Sequence, residues 1–223
     1  MVISTIKRQE ADRMGAYIEV KDAVKRFKET TALDHVNLSF EQGKIHGIIG
    51  RNGSGKTVLL KCICGFMELT KGSITIDGKP VQHNKPQQMG IIIESPGFIG
   101  SISGYKNLSY LARLSGNVSK ERILEVLEIV GLADVGKKPV RKYSMGMRQR
   151  LGIAQAILED PPLLLLDEPM NGLDNKGVVE MRELLLKLRD EGKTILLASH
   201  GKEDIEILCD DVHELDHGRL VGE

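Results

Sequence analysis

Eight residues constrain this chain more than any others: Gly50-Arg51-Asn52-Gly53-Ser54-Gly55-Lys56-Thr57, a match to G-x-x-x-x-G-K-[ST]. A strand-like run from Lys44 to Ile49 precedes it, and a buried-helix pattern from Val58 to Leu69 follows. The glycines let successive backbone N–H groups turn toward phosphate oxygens, and the helix adds its positive N-terminal end. Lys56 supplies a compact charge for the β- and γ-phosphates, and Thr57 a hydroxyl for Mg²⁺. A glycine-rich turn alone satisfies the pattern, but strand, loop and helix in this order call for an α/β core. Gly50, Arg51, Asn52, Gly53, Ser54, Gly55, Lys56, Thr57 and Val58 are therefore the expected nucleotide-binding residues.

Leu163-Leu164-Leu165-Leu166-Asp167-Glu168 supplies the complement. A continuous apolar run suits a parallel strand covered on both faces, and it delivers two acids to the strand's carboxyl end. Asp167 is expected to hold Mg²⁺, and Glu168 to polarise an attacking water. Taken alone, the pair would be an acidic strand end capping a loop. Beside the phosphate loop it reads as half of a P-loop nucleotide hydrolase.

The remaining pattern builds a mixed architecture. Tyr17 to Val20 alternates as a short strand, Val36 to Phe40 as another, and Ser73 to Ile76 as a third closed by Asp77-Gly78. Gly90 to Ile93 is a short apolar strand. From Gly104 to Gly131 the period turns helical, with Leu108, Leu111, Ala112 and Leu114 on one face and Ile123, Leu124, Leu127 and Val130 on another. Helices over Met147–Leu158, Val178–Asp190 and Lys202–Leu208, a strand at Thr194–Ala198, and a hairpin around Asp216-His217-Gly218 complete the chain. The expected fold is an α/β core with β-rich flanks and a helical insert between about residues 96 and 142. Residues 1–16 read as a loosely held arm.

Composition narrows the partners. Lys plus Arg and Asp plus Glu each number 31, so no global charge favours nucleic acid or an anionic membrane. The stretch Lys137, Lys138, Arg141, Lys142, Arg148, Arg150 is basic, but among its neighbours only Tyr143 offers a stacking ring; a solvated face is the plain expectation. Cys62, Cys64 and Cys209 form an odd set without disulfide spacing, which suits a reducing compartment; Cys62 and Cys64 are expected to fill a buried helix face. No run approaches the ~20 apolar residues that cross a bilayer, and the N-terminus lacks a secretory apolar region. Work at a membrane would then proceed from its cytoplasmic face through a partner.

Ahead of the Asp167–Glu168 strand stands Tyr143-Ser144-Met145-Gly146-Met147-Arg148-Gln149-Arg150-Leu151. With this segment the order of motifs from Tyr17 onward resembles the ABC (ATP-binding cassette) ATPase family. The resemblance implies a RecA-like P-loop NTPase core with a parallel sheet, an N-terminal antiparallel β-subdomain and an inserted α-helical subdomain, within one ATPase domain over 17–223. It implies ATP and Mg²⁺ as cofactors, and catalytic roles for Lys56, Glu168 and His200, the last as a γ-phosphate contact. It implies that Phe27 stacks on adenine, that Glu94 joins Thr57 and Asp167 around Mg²⁺, and that Ser144 and Gly146 clasp the γ-phosphate held by an opposite subunit. Asn171-Gly172-Leu173-Asp174 matches the loop that links the two sites across a dimer.

The chain departs from the family pattern in two places. Glu94 stands where a glutamine is usual, and Met145 and Met147 flank Gly146 where a glycine and an amide are usual. Together with Ile93-Glu94-Ser95-Pro96-Gly97-Phe98, they are similar to ATPases of bacteriocin- and lantibiotic-protection exporters. The function so implied is an ATPase subunit that works as a homodimer and drives a separate membrane permease, without nucleic acid. A soluble ABC ATPase acting on DNA or ribosomes is the alternative, but it would usually carry coiled-coil insertions or a second cassette. A non-hydrolysing regulatory cassette is disfavoured by Glu168 and His200.

Overall fold

The computed structural model describes residues 16–85, 87–94, 97–135 and 137–221. The expected arm, residues 1–16, lies outside this range except for Ala16. The chain opens with β1 (Ile18–Phe27), β2 (Thr30–Phe40) and β3 (Ile45–Ile49), then α1 (Lys56–Ile63), β4 (Lys71–Ile76), β5 (Lys79–Pro80) and β6 (Met89–Ile92). Three helices follow: α2 (Gly104–Ser115), α3 (Lys120–Ile129) and α4 (Met145–Ala156). The rest alternates as β7 (Leu163–Asp167), α5 (Asn175–Asp190), β8 (Thr194–Ala198), α6 (Lys202–Leu208), β9 (Asp211–Asp216) and β10 (Arg219–Leu220).

Two sheets form. One is antiparallel, in the order β2-β1-β4-β5; the other has six strands, in the order β10-β9-β3-β8-β7-β6. In the second, β9, β3, β8, β7 and β6 run parallel and only β10 is antiparallel. Alternate residues of its central strands join different cores. Ile45, Leu164, Leu166, Ile195 and Leu197 pack with Leu108, Ile123, Leu151 and Leu185 from α2 to α5. Ile48, Leu163, Leu165, Leu196 and Ala198 pack with α1 and the antiparallel sheet, against Leu59, Leu60, Ile18 and Phe40. Both faces of the strands are thus dry, which is why they read as unbroken apolar runs.

Helix starts follow their side chains. Ser103, Ser119, Ser144 and Asp174 each accept a hydrogen bond from a backbone N–H in the first turn of α2, α3, α4 and α5. Several boundaries differ from expectation. The first strand runs on to Phe27 through its charged stretch, because β2 and β4 pair with it on both sides and irregularities absorb the register shifts. Helix α1 stops at Ile63 rather than Leu69, since Gly65 turns left-handed (φ 76°) directly after the cap. Leu114 and Leu124, expected on apolar faces, are exposed, and Val126 fills the core where Leu124 does not. Cys62 and Cys64 are buried as expected.

Candidate functional site

Strand order places the chemistry. The loop after β3, Glu94 after β6, Asp167 and Glu168 at the end of β7 and His200 after β8 all leave the same carboxyl edge of the parallel sheet. That edge is where open α/β sheets bind ligands.

The loop is held from beneath. Lys56 is nearly buried, and its Nζ donates to the carbonyls of Gly50 at 2.6 Å and Arg51 at 3.2 Å. Ser54 is buried and its hydroxyl has no hydrogen-bond partner among the described residues. Gly55 caps α1 without a side chain, so the first N–H groups of the helix keep no capping acceptor and remain available to an anion. The C-terminal hairpin supports the loop: Gly218 N–H donates to Ser54 O at 2.9 Å, and Asp34 N–H to Gly218 O at 2.8 Å. A Cβ on Gly55 or on Gly218 would come within 2.7 Å of the same oxygen, Ala32 O. Three distant segments therefore meet where no side chain fits.

Thr57 Oγ1 donates to Asp167 Oδ2 at 2.7 Å, joining the loop to β7. Asp167 is almost fully buried, and burial pushes its carboxyl above the usual range, with the Thr57 hydrogen bond working the other way. Glu168 takes a left-handed backbone (φ 49°), and its N–H is held by Ala198 O at 2.8 Å. That turn carries its side chain to His200, whose Nδ1 lies 2.7 Å from Glu168 Oε1. A cleft of 560 Å³ opens beside the pair, lined by Glu168, Asn171, Arg182, His200 and Asp204 among others.

The remaining expected residues are more dispersed. Phe27 is 42% exposed at the end of β1, with Lys25 Nζ 5.1 Å from its ring centre. It pairs with Thr30, two residues before the Ala32 that meets Gly55. Glu94 (φ 62°) takes an ion pair from Lys61 Nζ on α1 at 2.5 Å, and no hydrogen bond among the described residues joins it to Asp167 or Thr57. Ser144 caps α4, and Gly146 abuts the backbone of Gly172. No hydrogen bond among the described residues joins Ser144 or Gly146 to the loop Gly50–Thr57 of the same chain. Met147 packs against the helical core, whereas Met145 is 61% exposed and lies over Gly172.

Some neighbours of the site had no signal in the sequence. Gln149 Nε2 reaches the carbonyl of Glu168 at 3.4 Å. Arg182 grips Asp204 Oδ1 through two nitrogens at 2.6 and 2.8 Å, linking α5 to α6 beside His200. The basic stretch also divides: Arg150 is bound to Glu180 at 2.6 Å and Val130 O at 2.9 Å, while Lys137, Lys138, Arg141, Lys142 and Arg148 face solvent.

The family model for ABC transporters matches residues 33–171. The chain belongs to the ABC transporter family. It is an ATPase of that family, with the family's P-loop core, antiparallel subdomain and helical insertion. The bacitracin transport ATP-binding protein BcrA of Enterococcus faecalis is 43% identical, over 94% of this chain and 70% of that one. The lantibiotic transport ATP-binding protein SrtF of Streptococcus pyogenes is 36% identical, over 92% of this chain and 90% of the relative. Among solved structures, the dimeric MJ0796, a bacterial ABC transporter cassette, superposes with a TM-score of 0.85 at 26% identity, over 91% of this chain and 96% of that one. In this ABC ATPase the departures noted above lie on two surfaces. Glu94 belongs to the edge beside Asp167, and Met145 to the exposed tip of α4.

Proposed function

We propose that this chain binds ATP and Mg²⁺ on the loop Gly50–Thr57 and hydrolyses ATP only when a second copy closes over it, driving a separate membrane permease. The hydrogen bond from Thr57 to Asp167, beside the Glu168–His200 contact, carries this reading. The adjacent hydroxyl and carboxylate are hard oxygen donors that suit Mg²⁺, and Glu94 would add a third if Lys61 released it. Bound there, Mg²⁺ would neutralise charge on the β- and γ-phosphates. Lys56 and the backbone of Arg51, Asn52, Gly53, Ser54, Gly55 and Val58 bind the phosphates, and Phe27 stacks on the base. Glu168 takes the proton of the attacking water, and His200 orients Glu168.

Exposed Ser144 and Met145 favour a dimer in which the α4 tip of one copy reaches the loop of the other. Among the described residues no helix is long and apolar enough to cross a membrane. In this reading the permease is a separate chain, and this one docks on its cytoplasmic side. A groove of about 1000 Å³ between β6 and α2–α3, with Phe66 exposed at its rim, is the surface we assign to that permease. Leu111, Asn117, Val118 and Arg122 of the helical segment form one wall of it. The likeness to bacitracin and lantibiotic transport proteins supports a peptide antibiotic as the exported cargo.

The Glu168→Gln variant tests the assignment. It should bind ATP, lose hydrolysis and run on a sizing column at twice the monomer mass when ATP is present. A variant that stays monomeric and turns over at the normal rate would overturn it.

A further inference from the structure

Away from the nucleotide edge, two strands bring together a set of side chains that ATP hydrolysis does not use. His46 on β3 pairs in register with Asp211 on β9, and Ile48 with His213. Residues two apart on a strand share a face, so all three side chains project on the side of Ile48, toward Phe40. His46 and His213 each meet the Phe40 ring edge-on, at 5.1 and 5.4 Å between centres. One ligand atom from each of His46, Asp211 and His213 lies within 4.8 Å of the others.

The orientation of the rings is specific. His46 is 1% exposed, and its Nε2 donates to the carbonyl of Glu41 at 2.8 Å. That bond fixes the proton on Nε2 and turns Nδ1 to both oxygens of Asp211, at 2.8 and 2.9 Å. In the neutral ring Nδ1 then carries a lone pair facing a carboxylate, an arrangement that needs a cation between them or a second proton on the ring. His213 Nε2 is shielded from water and has no hydrogen-bond partner among the described residues, although it lies 3.2 Å from Asp211 Oδ1. An orphaned buried nitrogen costs stability unless something occupies its lone pair.

We propose that His46 Nδ1, an Asp211 oxygen and His213 Nε2 bind a divalent transition cation of the zinc class. Two imidazole nitrogens and a carboxylate suit such a metal and not Mg²⁺, which prefers oxygen alone. The Glu41 carbonyl is the outer partner that orients His46. Asp211 and His213 are partly exposed, leaving a route for the ion and a water to complete a tetrahedral shell. The site would rivet β9 to β3 and to the turn after β2. Its role is structural, since among the described residues no hydrogen bond joins His46, Asp211 or His213 to the loop Gly50–Thr57.

The test uses the full chain, free of any affinity tag, stripped with chelator and kept without nucleotide in excess Mg²⁺. Zn²⁺ is titrated against a chromophoric chelator, and Co²⁺ is added to read the visible bands of a tetrahedral ion. One equivalent of Zn²⁺ should bind, raise Tm by several degrees and displace Co²⁺. His213→Asn, at the more exposed of the two histidines, should weaken binding by roughly a hundredfold or more while leaving circular dichroism and ATP binding intact. Asp211→Asn should act alike. Failure to bind an equivalent of Zn²⁺, or binding of undiminished affinity in His213→Asn, overturns the site whatever the ATPase readings show.

Discussion

Glu94 and Glu168 stand at the same step of two neighbouring strands, each two residues past the paired Ile92 and Leu166. Both adopt left-handed backbones, φ 62° and 49°, which side chains other than glycine occupy at a cost of about 1 kcal/mol or more. Their partners differ: Lys61 holds Glu94 and His200 holds Glu168. The two carboxylates flank Asp167, which is forced toward its neutral form by burial first and by these neighbours next.

Replacing Glu94 with Gln removes the Lys61 ion pair while keeping shape. Because that pair is largely exposed, stability changes by no more than ~1 kcal/mol. ATP binding should persist, and the Mg²⁺ concentration for half-maximal ATPase activity should rise, by at most about tenfold on the same scale. An unchanged Mg²⁺ titration with full transport would remove Glu94 from the metal's surroundings.

His200→Ala takes away the side chain that contacts Glu168 Oε1. Turnover should fall by roughly 10²-fold or more, with ATP affinity little altered. Steady-state ATPase assays beside fluorescent-nucleotide binding separate the two, and a loss of affinity matching the loss of rate would assign His200 to binding alone.

Arg182 and Asp204 are 13% and 12% exposed, and their paired bonds clamp α6 to α5. Arg182→Met alone strands a buried carboxylate and should cost about 3 kcal/mol. Adding Asp204→Leu should recover most of that loss, since two apolar groups satisfy each other. Denaturant unfolding of the single and double variants measures the difference; equal losses in both would mean that the clamp acts through one partner only.

Asp160 precedes β7 and accepts from Lys193 Nζ at 2.5 Å, a hydrogen bond that holds its carboxyl below the usual range. A depressed folded-state value stabilises the protein above the unfolded carboxylate's pKa, and the gain disappears as pH falls through the folded value. With Asp160 71% exposed, screening limits the effect to about 0.5–1 kcal/mol. Asp160→Asn should therefore unfold earlier than the parent at pH 7 and match it in acid. Asparagine tolerates the left-handed backbone found there, φ 54°, so the comparison isolates charge.

The core elements were legible because their physics is local. Leu163–Leu166 is apolar without a break because both faces are covered, and Ser119 announces α3 with its own hydroxyl. The helix expected over Lys202–Leu208 spans those same residues. What escaped were consequences of tertiary pairing. The charges of residues 21–26 carry no strand signal of their own, yet two flanking strands draw them into β1. Leu114 and Leu124 fit the helical period but fall on the outward side, where the neighbours of α2 and α3 run out. In the site, the glycine-rich loop and the acidic strand end were plain, while the partners of Glu94, Glu168 and Asp204 come from other elements and leave no spacing to read.

The seat of the phosphate loop has a consequence for the order of assembly. Ser54 is bonded to Gly218, and Gly55, Gly218 and Ala32 converge where only bare backbone fits. A ribosome delivers residues 50–57 long before residue 218, so the emerging chain carries an unfinished cradle. Closing so long a loop is slow and entropically costly, and it comes after most local structure has formed. Nucleotide affinity should thus appear abruptly, with the final hairpin, rather than grow with chain length; a half-made subunit would not compete for ATP.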